Sequence, residues 1–529
     1  MEKKEVIPKY LLKGDLSGIQ DFIFSIPSKG AARTLKVRSF FIQAIIQLCI
    51  HKLKDDYNLP KESCISDRGG SFYLGMDNEI ANLNSIQAGL NEELFELGLF
   101  VTLCQTEGDS WTSANERLSE MEEKQKFQKY ANSTKLFKEH DRVKPIDIQK
   151  WKNFAGALSK TKAKYKEIEK VKGEILTHNS ISLFGYTLTL SESGHNPQTS
   201  FNEMPVWREE NVYFKNKGED LVKKWESEFA EKNNADLEDV IKAGNLIDLN
   251  HLGLEARFRT GTDKIAAIAL DVDNLGDFFK NKNIEELKVA ENGLKTFFID
   301  KMGELWKKEK FNEADYYQDN ILILFSGGDD CFILGAWDAS IHFLNLLHAE
   351  FKEFAQNKKL LIRGNPCTFS ASILFVDASF PMIRLGDMAE DMLSIAKKGN
   401  KNSICLFEQK FTWKEFNDII MIANTLQDFI QKKGESKALV QKIALSAKGY
   451  KNLVNGIKLS KPLNMQKVWN LTWFILRGVK EENRQAVDDK VVRKYHEAVV
   501  GALANKEYSN ALVFPFAARI AELLIRNRD

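Results

Sequence analysis

One pattern occurs twice in this chain: an apolar run ends in an aspartate, and a glycine pair between two further apolar runs follows more than fifty residues later. In the second half the pattern comprises IAAIALDVDNLG, with Asp271 and Asp273, and ILILFSGGDDCFILG, with Asp329 and Asp330. In the first half, LLKGDLSGIQ contains Asp15 and is followed by DRGGSFYLGM. The intervals from first aspartate to first glycine are 54 residues (15 to 69) and 56 residues (271 to 327). A repeat on this scale predicts two copies of one domain.

The second copy has the element order of a split sheet. IAAIAL, ILILF, CFIL, FSASILFV and NSICLF are apolar runs of strand length, and LGDMAEDMLSIAKK has the periodicity of an amphipathic helix. This order predicts an α+β fold with two ferredoxin-like palm domains, as in polymerases and nucleotidyl cyclases, plus a helical linker and a C-terminal helical bundle. The predicted boundaries are 1–107 for the first palm, 108–255 for the linker, 256–410 for the second palm and 411–529 for the bundle.

The acidic residues of the second copy predict a metal site. Strand alternation sends Asp271 and Asp273 to one face at a strand end, and Asp329 and Asp330 lie at a hairpin tip. Four carboxylates without histidine or thiolate favour one or two Mg²⁺ or Mn²⁺ ions. The corresponding chemistry is two-metal phosphoryl transfer, with Asp329 and Asp330 as catalytic residues. For the GGDD turn alone, an ordinary hairpin with a solvated acidic tip is an equal alternative.

Glycines, a helix start and lysines surround these acids. A strand-to-helix turn with outward amide groups and a glycine hairpin both suit phosphate oxygens. The lysines stand where a helix ends, a position that lysine also favours without any ligand. The residues predicted to contact a nucleotide in this copy are Asn274, Leu275, Gly276, Gly327, Gly328, Lys397, Lys398 and Lys401.

The first copy keeps the glycines and loses most acids. Aligned by sequence, Ser17 matches Asp273, and Gly69 and Gly70 match the second glycine pair. Ser71 and Phe72 then replace the two hairpin aspartates, so that three of four carboxylates are missing. We expect this copy to bind metal poorly, and either to present a second nucleotide or only to complete the fold.

Composition restricts the class of protein. Lys plus Arg number 75 and Asp plus Glu 74, so no global field attracts nucleic acid, and an RNA partner needs local patches or other subunits. Six cysteines without a CxxC pair argue against a disulfide framework or a zinc ribbon. No apolar run reaches about 18 residues, and the N-terminus lacks an apolar signal segment. We therefore expect a cytoplasmic protein with no membrane contact.

A lysine-rich segment between the copies has two interpretations. KWKNFAGALSKTKAKYKEIEKVKG, residues 150–172 and the glycine after them, holds eight lysines interleaved with Trp151, Phe154 and Tyr165. The segment could contact guide RNA or a neighbouring protein. A solvated helical face is at least as good an interpretation.

Four motifs in this order resemble a known family. GDLSGIQDFIFSIPSKGAARTLKVRSF, LDVDNLGDFF, SGGDD and AKKGNKNS resemble the large two-palm subunit of type III CRISPR effector complexes, in its Csm (type III-A) form. The resemblance implies antiviral synthesis of cyclic oligoadenylate from ATP, activated by target RNA, in a ribonucleoprotein with guide RNA and other Csm-type subunits. It implies metal at Asp271, Asp329 and Asp330, with Asp273 supporting the site or joining the coordination. A free-standing cyclic dinucleotide synthase and a non-catalytic scaffold subunit remain alternatives.

The resemblance also implies roles for other residues, and two departures from it are expected. Lys397 and Lys401 match the family's segment near the triphosphate, and Ser17, Gly69 and Gly70 of the first palm would line the place of the acceptor ATP. Many relatives begin with a histidine-aspartate nuclease domain, which we expect to be lacking here because the first palm opens near Met1. The pair His140-Asp141 is expected to be a surface dipeptide, and the absence of cysteine from 105 to 330 argues against a zinc insert.

Overall fold

The computed structural model describes most of the chain and leaves several segments out. The described residues are 7–26, 31–128, 146, 148–195, 201–206, 247–276, 283–313, 315–327, 330–362, 364–445, 473, 475–498 and 509–526. Gly328, Asp329 and the His140-Asp141 pair, all singled out from the sequence, lie outside them. Within this described part, no helix combines the length and apolar character that crossing a membrane requires.

The first palm is a four-stranded antiparallel sheet in the order β2-β3-β1-β4, with helices on both faces. This order is that of a ferredoxin-like split sheet, as predicted. Its helix α4 packs on β4 and β1, so the unit continues past residue 107. Its elements are β1 (Tyr10–Ser17), α1 (Ile19–Phe24), α2 (Ala31–Asp56), β2 (Cys64–Arg68), β3 (Ser71–Met76), α3 (Leu83–Leu94), β4 (Phe100–Glu107) and α4 (Trp111–Gln128).

The described part of the linker contains a hairpin as well as helices. Its elements are α5 (Ile148–Lys160), β5 (Ser180–Leu183), β6 (Tyr186–Thr189) and α6 (Leu249–Thr260). The hairpin was not anticipated from the sequence. In α5, Trp151 and Phe154 are buried against the first palm, with the Trp151 ring 5.4 Å from that of Phe41. These two aromatic residues are therefore core residues and not stacking platforms for RNA.

The second palm repeats the first around a larger sheet, in the order β14-β13-β12-β7-β9-β8. The pairing of β12 with β13 is parallel and the others are antiparallel. Its elements are β7 (Ile265–Val272), α7 (Ile284–Lys295), a π-helix (Thr296–Lys301), α8 (Met302–Lys308), β8 (Ile321–Ser326), β9 (Asp330–Ala336), α9 (Trp337–Asn357), β10 (Leu361–Ile362), β11 (Asn365–Pro366), β12 (Phe369–Val376), α10 (Met382–Lys397), β13 (Ser403–Leu406) and β14 (Gln409–Thr412).

Helices follow the second sheet, as predicted for the C-terminal region. The elements are α11 (Trp413–Gln431), α12 (Glu481–Val487), a second π-helix (Asp488–Val492) and α13 (Ser509–Leu524). Thr412 caps α11 by accepting a hydrogen bond from the Glu415 amide, and α11 packs against α13.

The two palms share one hydrophobic core. Buried side chains of α2, including Leu35 and Phe40, belong to the same cluster as Leu324 of β8 and Phe332 of β9. The Phe24 ring of the first palm lies 4.8 Å from the Phe332 ring of the second. This packing brings the glycine hairpins of the two sheets together.

Candidate active site

Two of the predicted acids are directly opposite each other on neighbouring strands. Asp271, next to last in β7, is paired in register with Asp330, the first residue of β9. Asp271 is half-buried and Asp330 is exposed. Like charges directly opposite one another in a sheet are destabilising, so this pair is a place where positive charge is favoured.

Lys397 supplies positive charge at this place. It is the last residue of α10, and its ammonium group forms an ion pair with the Asp271 carboxylate. Lys398 is exposed, Lys401 is half-buried, and both follow in the loop before β13. The Asp271 carboxylate thus binds a cationic group, the ammonium of Lys397. Carboxylate oxygens, such as those of Asp271 and Asp330, are also the ligands that Mg²⁺ prefers.

The predicted quartet of carboxylates is not assembled by the described residues alone. Among them, no three His, Cys, Asp or Glu side chains are grouped closely enough to hold a metal ion. Asp329, which follows Gly328 at the tip, is not described. The metal site therefore stays a prediction. The carboxylates of Asp271 and Asp330 are chemically suited to it.

Asp273 has a different environment from the other acids. It is 1% exposed, and both of its carboxylate oxygens accept hydrogen bonds. The donors are the Thr368 hydroxyl at 2.7 Å, the Ser370 hydroxyl at 2.7 Å and the backbone N–H of Asn402 at 2.9 Å. This arrangement favours the supporting role over direct coordination, because the carboxylate anchors the lysine-bearing loop.

A second anchor of that loop was missed from the sequence. The ammonium of Lys410, in β14, donates to the Lys398 carbonyl at 2.5 Å and to the Asn400 carbonyl. Gly399 and Asn402 both take the left-handed conformation, with φ of +67° and +57°. Lys410 and Asp273 together shape the loop between α10 and β13.

The turn after β7 contains three of the residues predicted to contact a nucleotide. Asn274, exposed, is the residue with a left-handed backbone, at φ +55°. Gly276 is exposed, and a Cβ on it would meet nothing within 4 Å, so the backbone does not require glycine there. The side chain of Leu275 is buried and packs into the core, whereas the predicted contact to a nucleotide concerns its backbone amide and stays a prediction.

The first palm reproduces this geometry with a lysine and without most of the acids. Gly18, at φ +87°, follows Asp15 by three residues, as Asn274 follows Asp271. Ser17 is the last residue of β1 and is paired with Phe100 of β4. Asp15 forms an ion pair of 2.8 Å with Lys126, which lies in the last turn of α4 as Lys397 lies in the last turn of α10. Lys126 also pairs with Glu122, which pairs with Lys13 in turn, so two lysines balance two carboxylates in the first palm.

The strand registers correct the sequence alignment of the two hairpins by one residue. Asp15 is opposite Ser71, whereas Asp271 is opposite Asp330, so Ser71 and not Phe72 takes the place of Asp330. Phe72 is opposite Gly14 and buried in the core. The alignment of Gly69 with Gly327 was therefore wrong by one position, because sequence similarity does not record how many residues form the turn.

A cleft lies between the two hairpins. It has ≈ 840 Å³ of empty space, its open mouth included. Of the predicted nucleotide contacts, its lining contains Gly69, Gly70, Gly327 and also the acid Asp330. A Cβ on Gly327 would lie 3.2 Å from the Gly69 Cα, so the two turns are in contact. Ser17, Asn274, Leu275, Gly276, Lys397, Lys398 and Lys401 are not part of this lining.

Glu390 is an acid near this site that the sequence interpretation passed over. Its pKa is raised, chiefly by burial, although Lys397 acts in the opposite direction. Its side chain hydrogen-bonds Gln20 of α1, which lines the cleft. Glu390 precedes Lys397 by seven residues, two turns of the same helix, and this spacing was the signal that could have identified it.

Comparison with known proteins identifies both palms. The family model for the second palm domain of Cas10/Cmr2 matches residues 264–405, and the model for Csm1 subunit domain B matches residues 8–142. Curated relatives include proteins named "CRISPR system single-strand-specific deoxyribonuclease Cas10/Csm1 (subtype III-A)". That of Methanocaldococcus jannaschii is 26% identical over 82% of this chain and 64% of its own length. That of Enterococcus italicus is 23% identical over 78% of this chain and 56% of its own length.

Solved structures share the fold. The Csm1 chain of an apo Csm1-Csm4 cassette has a TM-score of 0.68 at 16% identity, over 98% of this chain and 70% of that one. A Csm1-Csm4 cassette in complex with cA4 has a TM-score of 0.66 at 15% identity, over 98% and 70%. The chain thus spans 54–64% of the length of the curated relatives it matches, and about 70% of the two solved chains.

Proposed function

The chain belongs to the Cas10/Csm1 family by both of its palm domains, and on this premise we propose that it synthesises cyclic oligoadenylate from ATP. It acts as the large subunit of a type III-A CRISPR effector complex in the cytoplasm, with guide RNA and Csm-type subunits as partners. Capture of target RNA activates the synthesis.

The observation that carries the proposal is the in-register pair of Asp271 and Asp330 beside a cleft shared by two palms. Nucleotidyl transfer needs an acceptor and a donor nucleotide side by side, and a duplicated fold provides two facing surfaces for them. The first palm offers Gly69 and Gly70 to the acceptor, and the second offers Gly327 and Asp330.

The residues would act as follows. Asp271 and Asp330, with Asp329, would hold Mg²⁺ or Mn²⁺, which when bound lowers the pKa of an attacking hydroxyl and neutralises phosphate charge. The 3′ hydroxyl of the acceptor attacks the α-phosphate of the donor, a new P–O bond forms, and pyrophosphate leaves. Lys397, which forms an ion pair with Asp271, would bind the triphosphate together with Lys398 and Lys401.

Ligands of the structural neighbours support the proposal. Csm1-Csm4 cassettes have been solved in complex with one ATP, with cA3 and with cA4. These are the substrate and two products of the proposed reaction. The deoxyribonuclease activity named for the curated relatives is not part of the proposal, and the expected lack of a histidine-aspartate nuclease domain stays a prediction.

The assembled complex, incubated with labelled ATP, Mg²⁺ and matching RNA, tests the proposal. RNA-dependent cyclic product is expected, and matched complex without target RNA is the control. Product that forms equally without RNA would favour a free-standing synthase. No product from an intact, RNA-bound complex would leave only a scaffold role.

A further inference from the structure

Lys36 is the one fully buried lysine among the described residues, at 0% exposure. It projects from α2 of the first palm, and its ammonium group donates three hydrogen bonds, all to backbone carbonyl oxygens. The acceptors are Phe201 at 2.5 Å, Ile323 at 2.8 Å and Leu324 at 3.1 Å. A lysine has three N–H donors, and all three are used.

Two of these acceptors lie at an irregularity of β8. The register of β8 with β9 shifts between Ile323 and Phe325, which leaves Leu324 as an extra residue without a partner. β8 is the outermost strand of its sheet, and Ile323 and Leu324 are both completely buried. Carbonyl groups at a buried, bulged edge need donors from outside the sheet, since leaving them unpaired is costly. Lys36 provides those donors.

The third acceptor connects the linker to the same point. The Phe201 ring packs against Trp306 of α8, with ring centroids 5.4 Å apart. The neighbouring Asn202 exchanges two amide hydrogen bonds of 3.2 Å with Gln43 of α2. Lys36 therefore joins three parts of the chain that are distant in sequence: the first palm, the linker and the second palm.

The cleft begins directly after the bulge. Phe325 and Gly327 line it, followed by Asp330, which is opposite Asp271. From the other side, α2 contributes Ser39 and Gln43, which follow Lys36 by one and two helical turns. A shift of β8 relative to α2 would consequently change the width of the cleft and the place of the acidic hairpin.

We propose that Lys36 is a positioning residue for nucleotidyl transfer, which holds the bulged edge of β8 to the first palm and thereby positions Gly327 and Asp330 at the cleft. Lys36 itself touches no substrate. The inference deepens the proposed function and rests on it for its kinetic consequence, whereas its structural consequence can be measured without activity.

The test uses the full chain with Lys36→Met, which keeps the length of the side chain and removes the donors. The matched control is Lys52→Met, on the same helix, where the lysine is partly exposed and pairs with Asp56 at 2.7 Å. Hydrogen exchange without nucleotide should be about tenfold faster in peptides covering residues 321–336 of Lys36→Met, and unchanged in α11 and α13. The control should match the wild type throughout.

Kinetics of the assembled complex give the second measurement. We expect kcat of Lys36→Met to fall about tenfold or more while KM for ATP changes less than about threefold, because binding surfaces persist but the reacting groups are misplaced. Lys36→Gln, which keeps donors on a shorter side chain, should give intermediate values in both measurements. Such partial rescue by Lys36→Gln would not be expected if Lys36 acted only by filling space and not by donating hydrogen bonds.

Three outcomes would overturn the inference. These are exchange in residues 321–336 equal to that of the wild type, a kcat equal to that of the wild type, or failure of both variants to fold, which would make Lys36 a requirement of the whole fold. A wild-type complex without product would contradict the proposed function instead, and the exchange measurement would still decide the role of Lys36.

Discussion

Lys397, at the end of α10, forms an ion pair with Asp271, near the end of β7. In the first palm, Lys126 and Asp15 form the corresponding pair between α4 and β1. The duplicated fold thus carries a lysine at the carboxylate of each palm. Only in the second palm is there another acid, Asp330, directly opposite that carboxylate, and the predictions below test what this difference does.

Lys397→Met should lower the rate of cyclic oligoadenylate synthesis about tenfold to a hundredfold, because a contact to the triphosphate is lost. The Mg²⁺ concentration for half-maximal rate should fall at the same time, since the ammonium no longer competes for Asp271. Rates measured across a Mg²⁺ titration test both effects. Lys308→Met, at an exposed pair with Glu304, is the control. An unchanged rate and Mg²⁺ dependence would contradict the assignment.

Asp330→Asn should abolish most activity, by about a hundredfold or more, and leave the fold intact. The side chain is exposed, and removing its charge relieves repulsion from Asp271, so stability without metal should be unchanged or higher by about 0.5 kcal/mol. Thermal unfolding and product formation are the measurements, with Asp300→Asn, exposed on the π-helix, as control. A clear loss of stability would show that the hairpin tip is structural.

Unlike Asp330→Asn, which should leave stability unchanged or higher, Asp273→Ala should lower the free energy of unfolding by roughly 2–4 kcal/mol. It removes a buried carboxylate that accepts three hydrogen bonds and leaves Thr368, Ser370 and the Asn402 amide without their acceptor. Urea unfolding of the free chain measures the loss. A fully stable variant with an altered metal requirement would instead make Asp273 a ligand.

Gly327→Ala should reduce synthesis about tenfold by pushing the two palms apart. Its Cβ would lie 2.9 Å from Asp330 Oδ1 and 3.2 Å from the Gly69 Cα, and the latter contact is with backbone that cannot turn away. Gly89→Ala is the control, because its Cβ meets nothing within 4 Å in α3, and it should stabilise by about 0.5–1 kcal/mol with wild-type activity. Equal activity of the two variants would argue against close contact of the hairpins during synthesis.

Stability should depend on pH through Lys36. Burial lowers its pKa from 10.5 to about 7, while Cys331 and Glu203 act weakly in the opposite direction. Between these two values the unfolded chain binds more protons than the folded one, so stability rises as pH increases from 7 to 10, although the neutral amine then has two N–H donors for the three carbonyl oxygens. Between pH 7 and 10 the free energy of unfolding of the wild type should rise by up to a few kcal/mol relative to that of Lys36→Met, which is the order of magnitude expected for a buried lysine. Urea unfolding at several pH values measures it, and a pH-independent difference would contradict the lowered pKa.

Local pattern was enough for the split sheets and for the location of the acids. Alternating and apolar runs specify strands, and the repeat specified that the chain folds twice in one way, which the strand orders of both sheets confirm. The turn chemistry was less predictable. Asn274, Leu275 and Gly276 were predicted together as a tight turn, and the pattern did not indicate that Asn274 is the residue with the left-handed conformation, which an asparagine tolerates.

The sequence by itself determined the duplicated architecture and the retention of all four acids in the second copy only, because local periodicity shows the first and direct comparison of the copies shows the second. Only the tertiary structure decided that Asp330 is opposite Asp271 and that Asp273 is buried among hydrogen-bond donors. It also decided that Lys126 pairs with Asp15 as Lys397 pairs with Asp271, and that Lys36 donates hydrogen bonds to β8. These contacts join residues from about 60 to nearly 290 positions apart. Packing selects such partners by shape, burial and unpaired hydrogen-bonding groups, and no local pattern of residue types records the result.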